Sequence, residues 1–218
     1  KPIALAVDGL NRLYALDLGD LGGPRIVRFV DDRFDRAFSV WPVYESYSFD
    51  FEAVALEASG DEVIIDGGAI AVRFNLSGSR TGQSLMPPRL YYAPFQDSAV
   101  GPGHRLFRLT VGTPAAQVVD DNGTVIRSWG QMKAAPEDEL APNVFAYPVD
   151  IAVDLRGRVV ILDGEPPVSA SAGPHPSSQA QLFAEDGAYL TRFGEYGNRN
   201  GQLINPQAIA ALADGRIV

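Results

Sequence analysis

Carboxylates recur along this chain at a fixed interval. Three acidic pairs stand nine positions apart, Asp8 with Asp17, Glu57 with Asp66 and Asp154 with Asp163, and each member ends a short apolar segment. Paired carboxylates are the material of general acid and base catalysis, and their oxygens also suit a hard divalent cation. Repetition points these particular residues elsewhere. A group that returns in several copies of a repeat is best used to accept hydrogen bonds from turn amides, which need a partner in every copy. Site chemistry is therefore sought in acidic and amide positions outside the pairs. Glu52, Asp97, Asp150 and Gln207 each stand one to three positions ahead of the apolar core of a repeat. Glu52, Asp97 and Asp150, brought together, would offer oxygen ligands for calcium.

Other chemistries find little material. Cysteine is absent, which removes disulfides, thiol nucleophiles and Cys-based zinc sites. Of two histidines, His104 follows the turn Gly101-Pro102-Gly103 and His175 lies between Glu165 and Ser178, so they form no closely spaced ligand pair. There is no G-x-S-x-G elbow and no phosphate loop. Asp120-Asp121-Asn122-Gly123 lacks the alternating spacing and distal Glu of a calcium loop and fits a hairpin turn. With no cofactor motif beyond the calcium-type oxygens, a non-catalytic role is the stronger expectation. A net charge of -9 without a basic block argues against nucleic acid as a partner. No apolar run approaches the roughly 18 residues of a membrane span, and no basic-then-apolar leader opens the chain.

Contact surfaces are a second kind of candidate. Trp41, Tyr44 and Tyr47 fall in the stretch WPVYESY, and Tyr91 and Tyr92 in a similar stretch between repeats. Tyr and Trp give large contact areas at low entropy cost, so these residues either pack between repeats or meet a protein or peptide partner. The insertion EPPVSASAGPHPSS, with His175, is longer than a hairpin needs and reads as a surface loop that a rigid scaffold could use for binding.

The elements that must carry these residues are strands. Repeat cores begin at Leu5, Val54, Ser98, Ile151 and Ile209, spaced by 49, 44, 53 and 58 residues; a four-stranded propeller blade takes about 40 to 50. Segments rich in Val, Ile, Leu, Phe and Tyr alternate with Gly, Asp, Asn and Pro, as antiparallel strands joined by tight turns require. In the fourth copy strands are expected at Asp150 to Asp154, Arg158 to Asp163, Gln179 to Ala184 and Tyr189 to Phe193. The first copy adds Arg25 to Val30 and Arg36 to Val40, the second Ile70 to Asn75 with a segment around Gln83, and the third Ala115 to Val119 and Thr124 to Trp129. The fold class is all-β, a β-propeller of four-stranded antiparallel blades in a single domain, 1–218. Its blades fall near 2–48, 49–93, 94–146 and 147–204, with an incomplete one at 205–218. Pro136 to Leu140 fits a solvated loop better than a helical turn. A chain that opens on Lys1 in a strand and stops within a fifth copy is expected to be an arc of a larger ring.

One stretch carries a family likeness. The Asp186-Gly187 turn, Phe193-Gly194, the Gly-rich link Gly197 to Gly201 and Asn205-Pro206 resemble an NHL repeat passing into the next. The pattern is specific over residues 148–218 and looser toward the N-terminus, and the third copy, without Asp at its strand ends, departs most. The resemblance implies a ring of about six blades and a mild preference for an extracytoplasmic setting. It implies for Glu52, Asp97 and Asp150 a place at the channel mouth, like the metal site of six-bladed lactonases and related hydrolases, where the ion orients and polarises a substrate. NHL-like amidating lyases hold zinc on several histidines, which His104 and His175 do not match. RNA binding, found in some NHL proteins, sits poorly with the acidic balance. Two readings stand: a binding or assembly module for a protein or peptide partner, as one subunit of a larger assembly, or a metal-dependent hydrolase or lyase with a channel-mouth carboxylate site.

Overall fold

The computed structural model describes residues 2–19, 23–40, 55–59, 61–67, 70–85, 95–133, 141–164, 178–212 and 214–218. Trp41, Tyr44, Tyr47, Glu52, Tyr91, Tyr92, His175 and the stretch 136–140 lie outside the described residues. Among the described residues every regular element is a strand apart from a 3-10 turn at Pro102–His104, and no helix is long and apolar enough to cross a membrane.

Four antiparallel meanders of four strands make up the fold, each with strands in chain order, which is the build of a propeller blade. Blade 1 comprises β1 (Pro2–Val7), β2 (Leu13–Asp17), β3 (Arg25–Val30) and β4 (Arg33–Ser39); blade 2 comprises β5 (Ala55–Ala58), β6 (Glu62–Asp66), β7 (Ile70–Asn75) and β8 (Arg80–Leu85). Blade 3 comprises β9 (Phe95–Val100), β10 (Leu106–Thr110), β11 (Ala116–Val119) and β12 (Val125–Trp129). A short parallel pair follows, β13 (Gln131–Met132) with β14 (Val144–Phe145). Blade 4 comprises β15 (Pro148–Val153), β16 (Val159–Asp163), β17 (Gln179–Phe183) and β18 (Tyr189–Phe193). The chain divides into two compact units, Lys1–Pro88 with Asp121–Thr124, and Arg89–Asp120 with Val125–Val218.

Most expected strands lie where the alternation put them. β4 begins three residues early because Asp31 and Asp32, at φ 48° and 59°, close a two-residue turn opposite the Val30 to Arg33 pair. Asp tolerates that left-handed backbone better than most residues, so the turn needs no glycine. In the fifth copy Ala210 and Val218 exchange backbone hydrogen bonds of 2.8 and 2.9 Å around the Ala211 to Ile217 bridge, the start of a further hairpin.

Cores form where blade faces meet within a unit. In unit 1 Tyr14, Leu16 and Ile26 of blade 1 pack with Leu56, Val63, Ile65, Val72 and Phe74 of blade 2. In unit 2 Phe107, Leu109, Val118 and Trp129 of blade 3 pack with Ile151, Val159, Ile161 and Phe183 of blade 4. Blade 4's other face, Ala152, Val160, Leu162, Ala180 and Leu182, receives Leu203, Ile209, Ala211 and Ile217. Glycine is required where the outer hairpin of one blade meets an aromatic of the blade before it. Gly78, at φ +88°, would place a Cβ 2.5 Å from Phe38, and Gly187, at φ +83°, one 3.0 Å from Trp129.

Candidate functional site

Three inner strands carry a β-bulge at the same place. In β9 the partner of Leu109 is Asp97 and the partner of Thr110 is Phe95, so Gln96 is the extra residue. In β15 Leu162 faces Asp150 and Asp163 faces Pro148, leaving Val149 extra; in β1 Leu16 faces Ala4 and Asp17 faces Pro2, leaving Ile3 extra. A bulge bends its strand and re-aims the next side chain, and it does so often beside functional sites. Asp97 and Asp150 thus occupy equivalent positions on β9 and β15, which pack against each other in unit 2. Blade 1 has Ala4 at this position, so the scaffold itself does not demand an acid there.

Both acids are half-buried. Asp150 is tied to backbone: its Oδ1 accepts the Ile151 N–H at 2.8 Å and its Oδ2 the Ile209 N–H at 2.6 Å, which fastens the fifth copy to the start of β15. Gln207 is exposed and turns back on its own loop, with Nε2 donating to the Asn205 carbonyl at 3.1 Å and to Asn205 Oδ1 at 2.9 Å. Among the described residues no group of three or more His, Asp or Glu side chains could hold a metal ion. His104 sits in the 3-10 turn at φ 60°, on the connection from β9 to β10 in blade 3, at the other end of its inner strand from Asp97.

The repeated carboxylates divide into two kinds. Asp8 Oδ1 accepts the amides of Leu10 and Arg12 at 2.9 and 3.0 Å, while Oδ2 accepts Arg12 Nε at 2.6 Å and the Tyr14 hydroxyl at 3.1 Å. Asp154 repeats the device: Oδ1 takes the amides of Arg156 and Arg158 at 2.9 and 2.8 Å, and Oδ2 takes Arg158 Nε at 2.7 Å. Burial pushes both carboxyls up, but the arginines and turn amides outweigh it and hold them below the usual carboxylate range. These acids close turns, as their repetition implies.

Asp163 belongs to the second kind. It is fully buried, and its donors come from the connector that leads into β15 rather than from a turn: Ala146 N–H reaches Oδ2 at 2.9 Å and Tyr147 N–H reaches Oδ1 at 2.6 Å. Burial pushes this carboxyl up to about 7, with the two amides and the Lys133 charge pulling the other way. Two strand positions along the same face, Gln181 is also fully buried and takes the next part of the connector, accepting Asn143 N–H at 2.9 Å and donating to the Val144 carbonyl at 2.7 Å. Asn143 Oδ1, Ser178 Oγ and Gln179 Nε2 are buried nearby in the chain without a hydrogen-bond partner among the described residues. The signal for this clamp was a polar residue between apolar neighbours in the strand Gln179–Phe183.

A different surface lies on blade 1. Leu5, Val7 and Phe34 share one sheet face by register and are 63%, 58% and 65% exposed. By the same register Leu5 matches Ile151 in blade 4, which is 3% exposed under blade 3.

No protein-family model matches the chain, and no curated protein matches it. Solved structures do. A virginiamycin B lyase from Staphylococcus aureus aligns with 99% of the chain at TM-score 0.57 and 14% identity, covering 61% of that protein. A Bacteroides thetaiotaomicron protein of unknown function aligns with 98% at TM-score 0.61 and 11% identity, covering 55% of it. U3-55K aligns with 96% at TM-score 0.54 and 9% identity, covering 56% of it. The chain therefore spans between half and two thirds of the length of these structures, and at such identities the likeness carries the fold alone.

Proposed function

We propose that the chain is a non-catalytic, NHL-like propeller module that binds or assembles with a protein or peptide partner. The observation that carries this reading is the use made of its carboxylates. Asp8 and Asp154 are spent on turn amides and arginines, Asp163 on a connector and Asp150 on the Ile209 amide, which is the economy of a scaffold. With a net charge of -9, the partner is expected to be basic rather than acidic. Trp41, Tyr44, Tyr47, Tyr91, Tyr92 and His175 are the proposed contact residues.

The test is selection of peptide ligands from a displayed library, followed by calorimetry with alanine variants. Trp41→Ala and Tyr91→Ala are each expected to weaken binding by about tenfold, the size of an aromatic hot spot, without moving the unfolding midpoint. Ligands that bind both variants as tightly as the parent would sink the contact assignment.

The alternative is a metal-dependent hydrolase or lyase using Glu52, Asp97 and Asp150 around calcium, favoured by the shared bulge that sets the two aspartates alike. Calcium-dependent turnover of a lactone or ester, lost in both Asp97→Asn and Asp150→Asn, would displace the binding reading.

A further inference from the structure

The Gly-rich link that follows blade 4 is a tied loop with an open tip. Its base is fixed by Leu203, whose N–H donates to the Glu195 carbonyl at 2.7 Å, whose carbonyl accepts the Gly197 N–H at 3.1 Å, and whose side chain packs on blade 4. Its tip is the turn from Arg199 to Gln202. The Gln202 N–H closes it on the Arg199 carbonyl at 2.9 Å, and the Arg199 N–H donates to Gln202 Oε1 at 3.0 Å. Asn200 and Gly201 are the central residues, and Gly201 has the φ of 83° that the third position of a type II turn demands. The closing bond makes no use of its N–H.

Three observations single out this pair. Both residues are exposed. Neither the Gly201 N–H nor the Asn200 side chain has a hydrogen-bond partner among the described residues. A Cβ built on Gly201 would meet nothing within 4 Å, so the space around its nitrogen is open.

We propose that Asn200 is a site of spontaneous modification, where the side-chain amide is lost and a carboxylate, partly in isomerised linkage, takes its place. The Gly201 nitrogen gives up its proton to a base in solvent and attacks Asn200 Cγ. The new N–Cγ bond forms as the Cγ–Nδ2 bond breaks, ammonia leaves with a proton drawn from water, and a cyclic imide remains. Water then opens the ring at either carbonyl. Opening at Cγ gives an aspartate, whereas opening at the main-chain carbonyl carbon routes the backbone through Cγ and lengthens it by one carbon. Glycine permits the approach, since its nitrogen has no Cβ beside it. Either product adds a negative charge to a chain already at -9.

The β11–β12 hairpin holds the same dipeptide, Asn122-Gly123, without the same access. Gly123 is buried, Asn122 has an interaction of its own, and its neighbour Asp121 is held by Arg73 at 3.0 Å. In the exposed link the consequence is local. An extra backbone carbon enters a turn spanned by both Arg199–Gln202 bonds, so the isomerised tip opens while Leu203 keeps the base.

The test is to age the intact chain in mildly alkaline buffer and to read its peptides by mass spectrometry with electron-transfer fragmentation, which separates the two linkages. Asn200 is expected to be lost about tenfold faster than Asn122, whose turn must open first, and to yield both linkages. Asn200→Gln, whose longer side chain needs a larger ring, is expected to abolish conversion at this position. By hydrogen exchange the isomerised chain should lose protection at Arg199 and Gln202 and keep it at Leu203, whereas Asn200→Asp, with ordinary linkage, should keep all three. Equal loss at the two asparagines, conversion to aspartate alone, or unchanged protection at Arg199 and Gln202 in the isomerised chain overturns the proposal.

Discussion

Replacing Phe183 by alanine is expected to cost about 3–5 kcal/mol, the range for deleting a large aromatic from a core that cannot collapse around the gap. Phe183 is fully buried on the face where blades 3 and 4 meet. Its ring centroid lies 6.0 Å from those of Trp129, Phe145 and Tyr189, so one deletion strips contacts from blade 3, from the connector and from blade 4 itself. Urea unfolding followed by tryptophan fluorescence should show the midpoint lowered with an unchanged slope. A loss under about 1 kcal/mol would mean that the interface repacks, contrary to the close packing described. Phe183→Leu, which restores most of the volume, is expected to recover more than half of the loss.

Asp154→Ala is expected to cost about 2–3 kcal/mol at neutral pH, because it leaves the amides of Arg156 and Arg158 and the Arg158 guanidinium without their acceptor. The pH dependence has a definite sign. The folded Asp154 carboxyl lies below its unfolded value, so its contribution is fully present above the unfolded value of about 3.8 and is lost as pH falls through the folded one. The gap between parent and Asp154→Ala unfolding midpoints should therefore narrow below pH 4. A gap that stays constant into acid would show that the loss is one of packing rather than of the charged acceptor. Asp8→Ala should behave in the same way in unit 1, since Asp8 holds its turn by the same bonds.

Asp154 and Asp163 mark how far the sequence could be read. They stand nine residues apart, end consecutive strands and carry the same side chain, and their repetition pointed to hydrogen bonds with turn amides, which Asp154 makes. Yet one is held below the ordinary carboxylate range and the other is raised to about 7. Their difference comes from what covers them. Asp154 meets an arginine four residues away, which local sequence records, whereas Asp163 meets a connector 16 and 17 residues upstream, which it does not. The strands were legible because alternation and turn residues are local signals. The Asp31-Asp32 turn was not, since it uses left-handed aspartates where glycine is the usual marker. The bulges at Ile3, Gln96 and Val149 escaped for a related reason: an extra residue is defined only against the partner strand. Asp97 and Asp150 were singled out by their place ahead of each repeat core, but their equivalence emerged only with the ladder register.

The contacts of Gly78 with Phe38 and of Gly187 with Trp129 set a limit on how such a chain can diversify. At each, the tip of an outer hairpin is wedged against the aromatic of its neighbour with no room for a Cβ, so lengthening that hairpin would pry the two blades apart. The opposite ends have close joints of their own, at Gly130 against Phe145 and at Gly194 against Leu203, and the 14-residue stretch from Glu165 to Ser178 joins β16 to β17 without passing through any of these glycines. Variation in length is thereby kept away from these glycines and left to connections that do not contain them, where a longer loop leaves the joints between neighbouring blades undisturbed.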